Sequence, residues 1–212
     1  MNVTIIGAGN MGRGIASRLV SGGHGVTLVS RNPAKADGLA NDLRRAAPAA
    51  AITVAGLGDS IPGEVAVLAL PYAVALDFAR LNAARVSGKV VVDITNPLNA
   101  TYDGLVTADG ASAAEELAAL LPTSHVVKAF NTTFAGTLVA GAAGGQPLDV
   151  FVAANDDGAK ATVLGLAADG GLRAIDAGKL ARARELEGLA LLGITLQGPL
   201  GLGFQSAWKR GA

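Results

Sequence analysis

The chain has 212 residues, in which 17 Lys and Arg balance 17 Asp and Glu, and it has no cysteine. Zero net charge provides no broad basic surface for nucleic acid or anionic membrane, and the absence of thiols excludes disulfides, thiolate nucleophiles and Cys-ligated metals. A chain of this length buries roughly 70% of its unfolded surface, enough for one solid α/β domain with an appendage.

The first predicted strand, 3–6, runs directly into Gly7-Ala8-Gly9-Asn10-Met11-Gly12, and a helix is predicted over 10–22 with Ile15, Leu19 and Val20 on one face. This is G-x-G-x-x-G in the strand-to-helix setting that gives the motif meaning. Gly7 permits the tight turn, Gly9 lets a pyrophosphate approach the backbone, and Gly12 lets the helix pack closely on the sheet. The free N–H groups and the positive end of the helix then face the phosphates. The chain begins almost inside this strand, so no leader peptide is expected and a soluble cytoplasmic protein is the natural reading.

The second strand, 25–29, ends in Ser30-Arg31-Asn32 and is followed by a helix over 33–46. An NAD-binding chain would place a carboxylate about here to hold the ribose. This chain places a hydroxyl and a cation, with Lys35 one turn later. Ser30 can donate to a 2′-phosphate, Arg31 can grip it and stack on adenine, and Lys35 adds charge. The expected cofactor is therefore NADP(H).

Strands are predicted next at 51–54 and 64–69, the latter leading through Leu70, Pro71 and Tyr72 into a helix over 72–84. A strand at 89–93 ends in Asp93, read as a loop cap. It opens the long loop 94–110, which contains Thr95-Asn96-Pro97. After a helix over 111–121 and a strand over 125–129 comes a second long loop, 130–147, containing Asn131-Thr132-Thr133-Phe134. Long loops are commonly functional, and both follow strands, at the sheet edge where a dinucleotide binds. Tyr72 is expected against the nicotinamide half, with Thr95 and Asn96 hydrogen-bonding its ribose or carboxamide. Asp176 is a further candidate at that edge. His24 and His125, the only histidines, precede strands and are expected at the opposite end, which disfavours a histidine base or a metal centre.

The remaining elements are a strand over 148–153, a helix over 156–168, a strand over 172–175 and a helix over 179–196. Leu189 to Trp208 carries no formal charge, but Gly193, Gly198, Pro199, Gly201 and Gly203 break it. It reads as a helix ending near Gln197 followed by an apolar loop, not a membrane span. Such a loop needs cover from a pocket, a ligand or a partner subunit. The helix carries apolar residues on more than one face, so a homodimer is expected. Together the elements imply an α/β, Rossmann-type doubly wound, mainly parallel sheet with a small C-terminal helical and loop appendage. Residues 1–150 form the expected NADP-binding domain and 151–212 the substrate and dimerisation part.

The segments GAGNMGRGIASRL, VTLVSRNPAK, VAVLALPY, VVKAFNTTFAG and AIDAGKLARARELE, in this order over nearly the whole chain, resemble the coenzyme F420-dependent NADP oxidoreductases, the deazaflavin:NADPH reductases. The resemblance implies that NADP lies across the strand edge and that the deazaflavin is held against the nicotinamide by the C-terminal segment and the loop after strand six. It implies that Ala8 to Met11 hold the pyrophosphate, Ser30, Arg31 and Lys35 the 2′-phosphate, and that Tyr72, Leu76 and Ala135 make further NADP contacts. Where archaeal members carry a histidine in the loop after strand six, this chain has Asn131.

The implied activity is hydride transfer between NADPH and coenzyme F420, a small-molecule acceptor, with no side chain acting as acid, base or nucleophile and no metal. Hydride transfer needs proximity, orientation and excluded water more than a strong acid or base. Phe130, Phe134, Leu191, Leu196 and Leu202 are expected as apolar walls for a flat ring. KAFNT-type loops also occur in the NADPH-oxidising domains of membrane ferric reductases, so FMN or FAD is the alternative acceptor. Two rivals stand beside these: a β-hydroxyacid or imine reductase, for which Lys179 would be a thin catalytic candidate, and a non-catalytic NADPH-sensing module.

Overall fold

The computed structural model describes residues 1–211. Its centre is an eight-stranded sheet built on β1 (Asn2–Ile6), which pairs in parallel with β2 (Gly25–Val29) on one side and β4 (Val65–Leu68) on the other. From β2 the sheet extends to β3 (Ile52–Ala55); from β4 it extends to β5 (Val90–Asp93) and β6 (His125–Lys128), all parallel. The order β3-β2-β1-β4-β5-β6 reverses direction at β1, which opens a crevice beyond the carboxyl ends of β1 and β4. The helices α1 (Asn10–Ser21), α2 (Pro33–Ala46), α3 (Tyr72–Asn82) and α4 (Ala113–Leu120) make the crossovers.

Both faces of these strands are covered, which is why they read as continuous apolar runs. Alternate residues serve opposite cores. Val3 and Ile5 pack with Ile15, Leu19 and Leu39 from α1 and α2, whereas Ile6 and Leu68 pack with Phe78 and Leu117 from α3 and α4. The helices start on local caps. Asn32 accepts from the Lys35 N–H at 3.2 Å with Pro33 in the first turn, and Ser112 accepts from the Glu115 N–H at 3.2 Å.

The loop 130–147 contains structure that periodicity did not reveal: a short helix α5 (Ala135–Ala140) and a hairpin of β7 (Ala142–Ala143) with β8 (Gln146–Pro147). The helix is too short to show a period, and it ends at Gly141, in the left-handed conformation with φ +75°. It packs close to α1 because Gly14 has no side chain; a Cβ there would sit 2.8 Å from Leu138 Cβ.

This connection stays at the carboxyl edge, so β9 (Asp149–Ala154) enters from that edge and pairs antiparallel with β6. The helix α6 (Asp157–Asp169) then leads to β10 (Arg173–Gly178), parallel to β9. The boundary expected at 150/151 thus falls inside β9, a strand of the same sheet. A 3-10 turn at Leu180–Arg182 precedes α7 (Ala183–Thr195), which returns to the carboxyl edge.

The reversal of β9 and β10 corrects one expectation. Asp176 lies towards the amino edge, where it pairs with Lys160 at 3.2 Å and accepts from the Gly178 N–H at 2.7 Å. His24 and His125 also lie at the amino edge, beside Asp169 and Asp156 at 3.2 and 3.3 Å. No described helix is long and apolar enough to cross a membrane.

Candidate active site

Two cavities flank the turn after β1. The larger, about 690 Å³, is lined by Gly7, Ala8 and Gly9, by Ser30, Arg31 and Lys35 after β2, and by Leu70, Pro71 and Phe78 beyond β4. The smaller, about 510 Å³, is lined by Met11, Ile94, Asn96, Leu98 and Tyr102, by Asn131 to Phe134, and by Ala190, Gly193, Ile194, Phe204 and Trp208. The two together run along the carboxyl edge from β2 to β6, with the glycine turn between them.

The turn has the geometry its sequence requires. Gly7 adopts φ +119°, and a Cβ there would lie 2.1 Å from the Ala69 carbonyl oxygen. A Cβ on Gly12 would lie 2.0 Å from the Gly7 carbonyl oxygen, so α1 approaches the turn only with glycine at this position. Gly9 is different: it adopts φ −86°, and a Cβ there would meet nothing within 4 Å. It faces open space at the exposed N-terminus of α1, where Asn10 is the first helical residue. A phosphate fits this cradle.

At the far end of the larger cavity, Arg31 and Lys35 are exposed. The Ser30 hydroxyl oxygen accepts from the Asn32 N–H at 3.1 Å, leaving its proton free to donate. Two cations and a hydroxyl at the end of β2 make a site for a dianion, and the one carboxylate lining this cavity, Asp77, comes from α3 and pairs with Arg80 at 2.8 Å.

Asn96 and Asn131 bring the two long loops together. The Asn131 side-chain amide donates to Asn96 Oδ1 at 2.9 Å and to the Leu186 carbonyl at 3.0 Å, and the Asn96 amide donates to the Asn131 carbonyl at 2.9 Å. The Asn131 Oδ1 and Thr95 Oγ1 atoms are buried and have no protein partner. Buried polar atoms left open beside a cavity suit a ligand carrying complementary amide or hydroxyl groups.

The loop is also strained here. Phe130 is buried yet has φ +63°, and its carbonyl accepts both the N–H and the hydroxyl of Thr133. Tyr102 and Phe204, the other non-glycine residues with positive φ among the described residues, both line the smaller cavity. Phe204 meets Phe134 edge-to-face at 5.2 Å. Aromatic side chains around an uncharged cavity suit a flat conjugated ring.

Besides Asn10 and Gly12 of the turn itself, four expected residues line neither cavity, of which Thr95 is buried between Ile94 and Asn96 of the smaller one. Tyr72 starts α3 but directs its hydroxyl to the Glu116 carboxylate of α4; burial and that bond push its ionisation above the ordinary range. Leu76 packs in the core below α3, and Ala135 begins α5 outside both cavities. Among the expected apolar walls, Phe134 lines the smaller cavity. Leu196 and Leu202 line an adjoining pocket of about 150 Å³, and Phe130 belongs to the core.

The sequence reading missed the buried charges beside the site. Lys128 is fully buried and pairs with Asp93 at 2.8 Å and Glu187 at 2.7 Å. Asp93 also caps its loop by accepting from the Thr95 N–H at 2.8 Å. Burial pushes the Glu187 carboxyl up despite its lysine partner. A lysine inside VVKAF and a glutamate on the inner face of α7 were the available signals.

A parallel sheet with this strand order, a glycine turn at its switch point and a cationic end to β2 defines a dinucleotide-binding oxidoreductase of the NADP type. Residues 2–97 match the family described as NADP oxidoreductase, coenzyme F420-dependent. The chain is 32% identical to the F420-dependent NADP reductase of Methanocaldococcus jannaschii over 212 aligned residues, covering 93% of both proteins. It therefore belongs to the F420-dependent NADP oxidoreductase family. A crystal structure provisionally assigned as an F420-dependent NADP reductase from Arthrobacter sp. FB24 superposes with a TM-score of 0.84 and 30% identity, covering 99% of each chain. Metalloreductase STEAP3 of Rattus norvegicus is 35% identical over 191 residues, which are 89% of this chain but 36% of that protein.

Proposed function

We propose that this chain transfers a hydride between NADP(H) and coenzyme F420. The observation that carries this reading is the pair of cavities meeting at one glycine turn: the larger ends in cations, the smaller is uncharged and aromatic. In this reading Gly7 to Gly12 hold the pyrophosphate, and Ser30, Arg31 and Lys35 bind the 2′-phosphate. Leu70 and Pro71 border the bound nucleotide. Thr95, Asn96 and Asn131 orient the carboxamide and ribose of the nicotinamide half, and the open Asn131 Oδ1 and Thr95 Oγ1 atoms support that role.

When bound, the pair would supply the chemistry, a hydride from nicotinamide C4 to C5 of the acceptor ring, with a proton from solvent completing the reduction. The protein contributes alignment and exclusion of water. Met11 brings the glycine turn into the smaller cavity, while Phe134, Phe204 and Trp208 wall the acceptor side. Residues 1–150 then hold the dinucleotide and share the acceptor's cover with 151–212, which contribute Ala190, Gly193, Ile194, Phe204 and Trp208. Leu192 and Leu200 are exposed on that C-terminal part, which supports a homodimer, checked by sedimentation at micromolar concentration.

The test mixes purified protein anaerobically with NADPH and oxidised F420 and follows bleaching of the deazaflavin, with FMN and FAD in parallel. Bleaching of F420 at the higher kcat/KM supports the proposal. Bleaching of flavins alone overturns it in favour of a flavin reductase, and tight NADPH binding with no acceptor reduced leaves the sensing module.

A further inference from the structure

Lys128 heads the largest fully buried side chains of the protein, and neither cavity uses it. Its ammonium donates to Asp93 Oδ2 at 2.8 Å, the Thr95 carbonyl at 2.5 Å and Glu187 Oε1 at 2.7 Å. Three protons meet three acceptors, so the group is saturated. The remaining carboxylate oxygens are also engaged: Asp93 Oδ1 accepts from the Thr95 N–H, and Glu187 Oε2 accepts from the Ala113 N–H at 3.1 Å. One cation and two carboxylates leave an excess negative charge. It falls at the N-terminus of α4, whose first residue is Ala113 and whose helix dipole is positive there. One cluster thus joins the ends of β5 and β6, the start of α4, and α7.

A second link lies one residue away. The Asn131 amide donates to the carbonyl of Leu186, the neighbour of Glu187. Two successive positions of α7 are therefore tied to Lys128 and Asn131, on either side of the left-handed turn at Phe130. Beyond the ties, α7 continues on the same face to Ala190 and Ile194, which wall the smaller cavity opposite Asn131 to Phe134. No residue of the cluster lines the larger cavity.

We infer that Lys128 and Glu187 are positioning residues: their ion pair sets the spacing between α7 and the loop 129–134, and so the width of the smaller cavity. The pair governs the hydride acceptor far more than NADPH affinity, because the turn and the cations read as holding the dinucleotide's phosphates line the larger cavity and only the nicotinamide end, at Thr95, Asn96 and Asn131, adjoins the pair. This rests on reading the smaller cavity as the acceptor site. A mainly stabilising role would instead leave acceptor kinetics untouched or weaken both ligands together.

The experiment uses Glu187→Gln and Glu187→Asp in the full chain. The first keeps the size but turns an NH2 towards either Lys128 or the Ala113 N–H; the second keeps the charge but falls one methylene short. Four quantities are measured: acceptor KM and kcat with F420, the Kd of NADPH, and the emission of Trp208. This is the one tryptophan of the chain, and its indole donates to the Leu189 carbonyl of α7 at 3.0 Å. Both variants are expected to lose acceptor kcat/KM by roughly tenfold to a hundredfold, mainly through KM, with NADPH Kd held within about twofold. The Trp208 emission shifts to the red in both.

Unchanged acceptor kinetics overturn the inference, as does an NADPH Kd that rises in step. If the unaltered protein reduces no acceptor, the proposed reaction fails, and Trp208 emission with NADPH Kd still decides the positioning role: an unshifted emission sinks it. If the single variants do not fold, Asp93→Asn, Lys128→Met and Glu187→Gln are combined, which leaves no charge in this cluster. That variant is expected to bind NADPH normally and to lose the acceptor; normal kinetics with F420 refute the inference.

Discussion

The glycine turn offers a perturbation in which binding and folding separate within one hexapeptide. At Gly9 the backbone has φ −86° and a Cβ finds no atom within 4 Å, so alanine is sterically free there. Alanine is a poorer N-cap than glycine, but it also reduces the entropy of the unfolded chain, and each effect is worth about 0.5–1 kcal/mol with opposite sign. Gly9→Ala should therefore leave Tm within about 2 °C of the parent. The added methyl stands where a pyrophosphate oxygen would meet the first N–H groups of α1. Losing one charge-assisted hydrogen bond costs about 1.5–3 kcal/mol, or roughly ten- to a hundredfold in NADPH Kd.

Gly12→Ala should do the reverse, because its Cβ would lie 2.0 Å from the Gly7 carbonyl oxygen and α1 must shift off the sheet. Overpacking of this kind costs about 1–3 kcal/mol or more and should lower Tm by several degrees. Calorimetry and fluorescence titration of NADPH against both variants make the comparison. If Gly9→Ala binds NADPH as the parent does, no pyrophosphate lies against this turn. If it melts as early as Gly12→Ala, the open space at Gly9 has been misjudged.

Removing the cation at the end of β2, Arg31→Ala, should weaken NADPH by about 1.5–3 kcal/mol and leave NADH affinity nearly unchanged; equal losses by titration would contradict a 2′-phosphate site. Tyr72→Phe breaks the bond to Glu116 at a cost of about 1 kcal/mol in stability, but NADPH Kd should stay unchanged, since the phenol faces α4. Asp149 anchors the C-terminal tail. Burial pushes its carboxyl up, but Arg173, the Arg210 N–H and Lys209 outweigh it and bring the pKa from 3.8 to about 2. A lowered folded pKa adds stability that is present above about pH 4 and lost as pH falls towards 2, worth about 2 kcal/mol for this fully buried side chain. The Tm difference between the parent and Asp149→Asn should accordingly shrink between pH 4 and 2. A difference that stays constant across that range would refute the anchor.

The nucleotide half of the site was legible because each of its parts is local. Gly7 to Gly12 and Ser30 to Lys35 lie within single turns, and turn chemistry is written in adjacent residues. The strands were legible for a related reason: buried parallel strands are short, apolar and β-branched. What escaped is non-local. Nothing near Asp149 tells whether β9 runs with or against β6, and that direction moved Asp176 to the far edge. Tyr72 stands at the right place in the chain, yet Glu116, 44 residues later, captures its hydroxyl. The aromatic cover from Tyr102, Phe204 and Trp208 comes from loop and tail segments without periodicity, and the partners of Lys128 lie 35 and 59 residues away.

Direct transfer across the junction of the two cavities is the central claim, and an isotope tests it most directly. NADPH carrying deuterium on one or the other face of C4 is mixed anaerobically with the protein and oxidised F420, and the reduced product is analysed by mass spectrometry. The reduced ring holds its C5 hydrogen in a stable C–H bond, so a transferred label remains. Direct transfer in one ternary complex puts the deuterium on the product from one face of NADPH only. Product without the label from either face, or label from both faces alike, contradicts it.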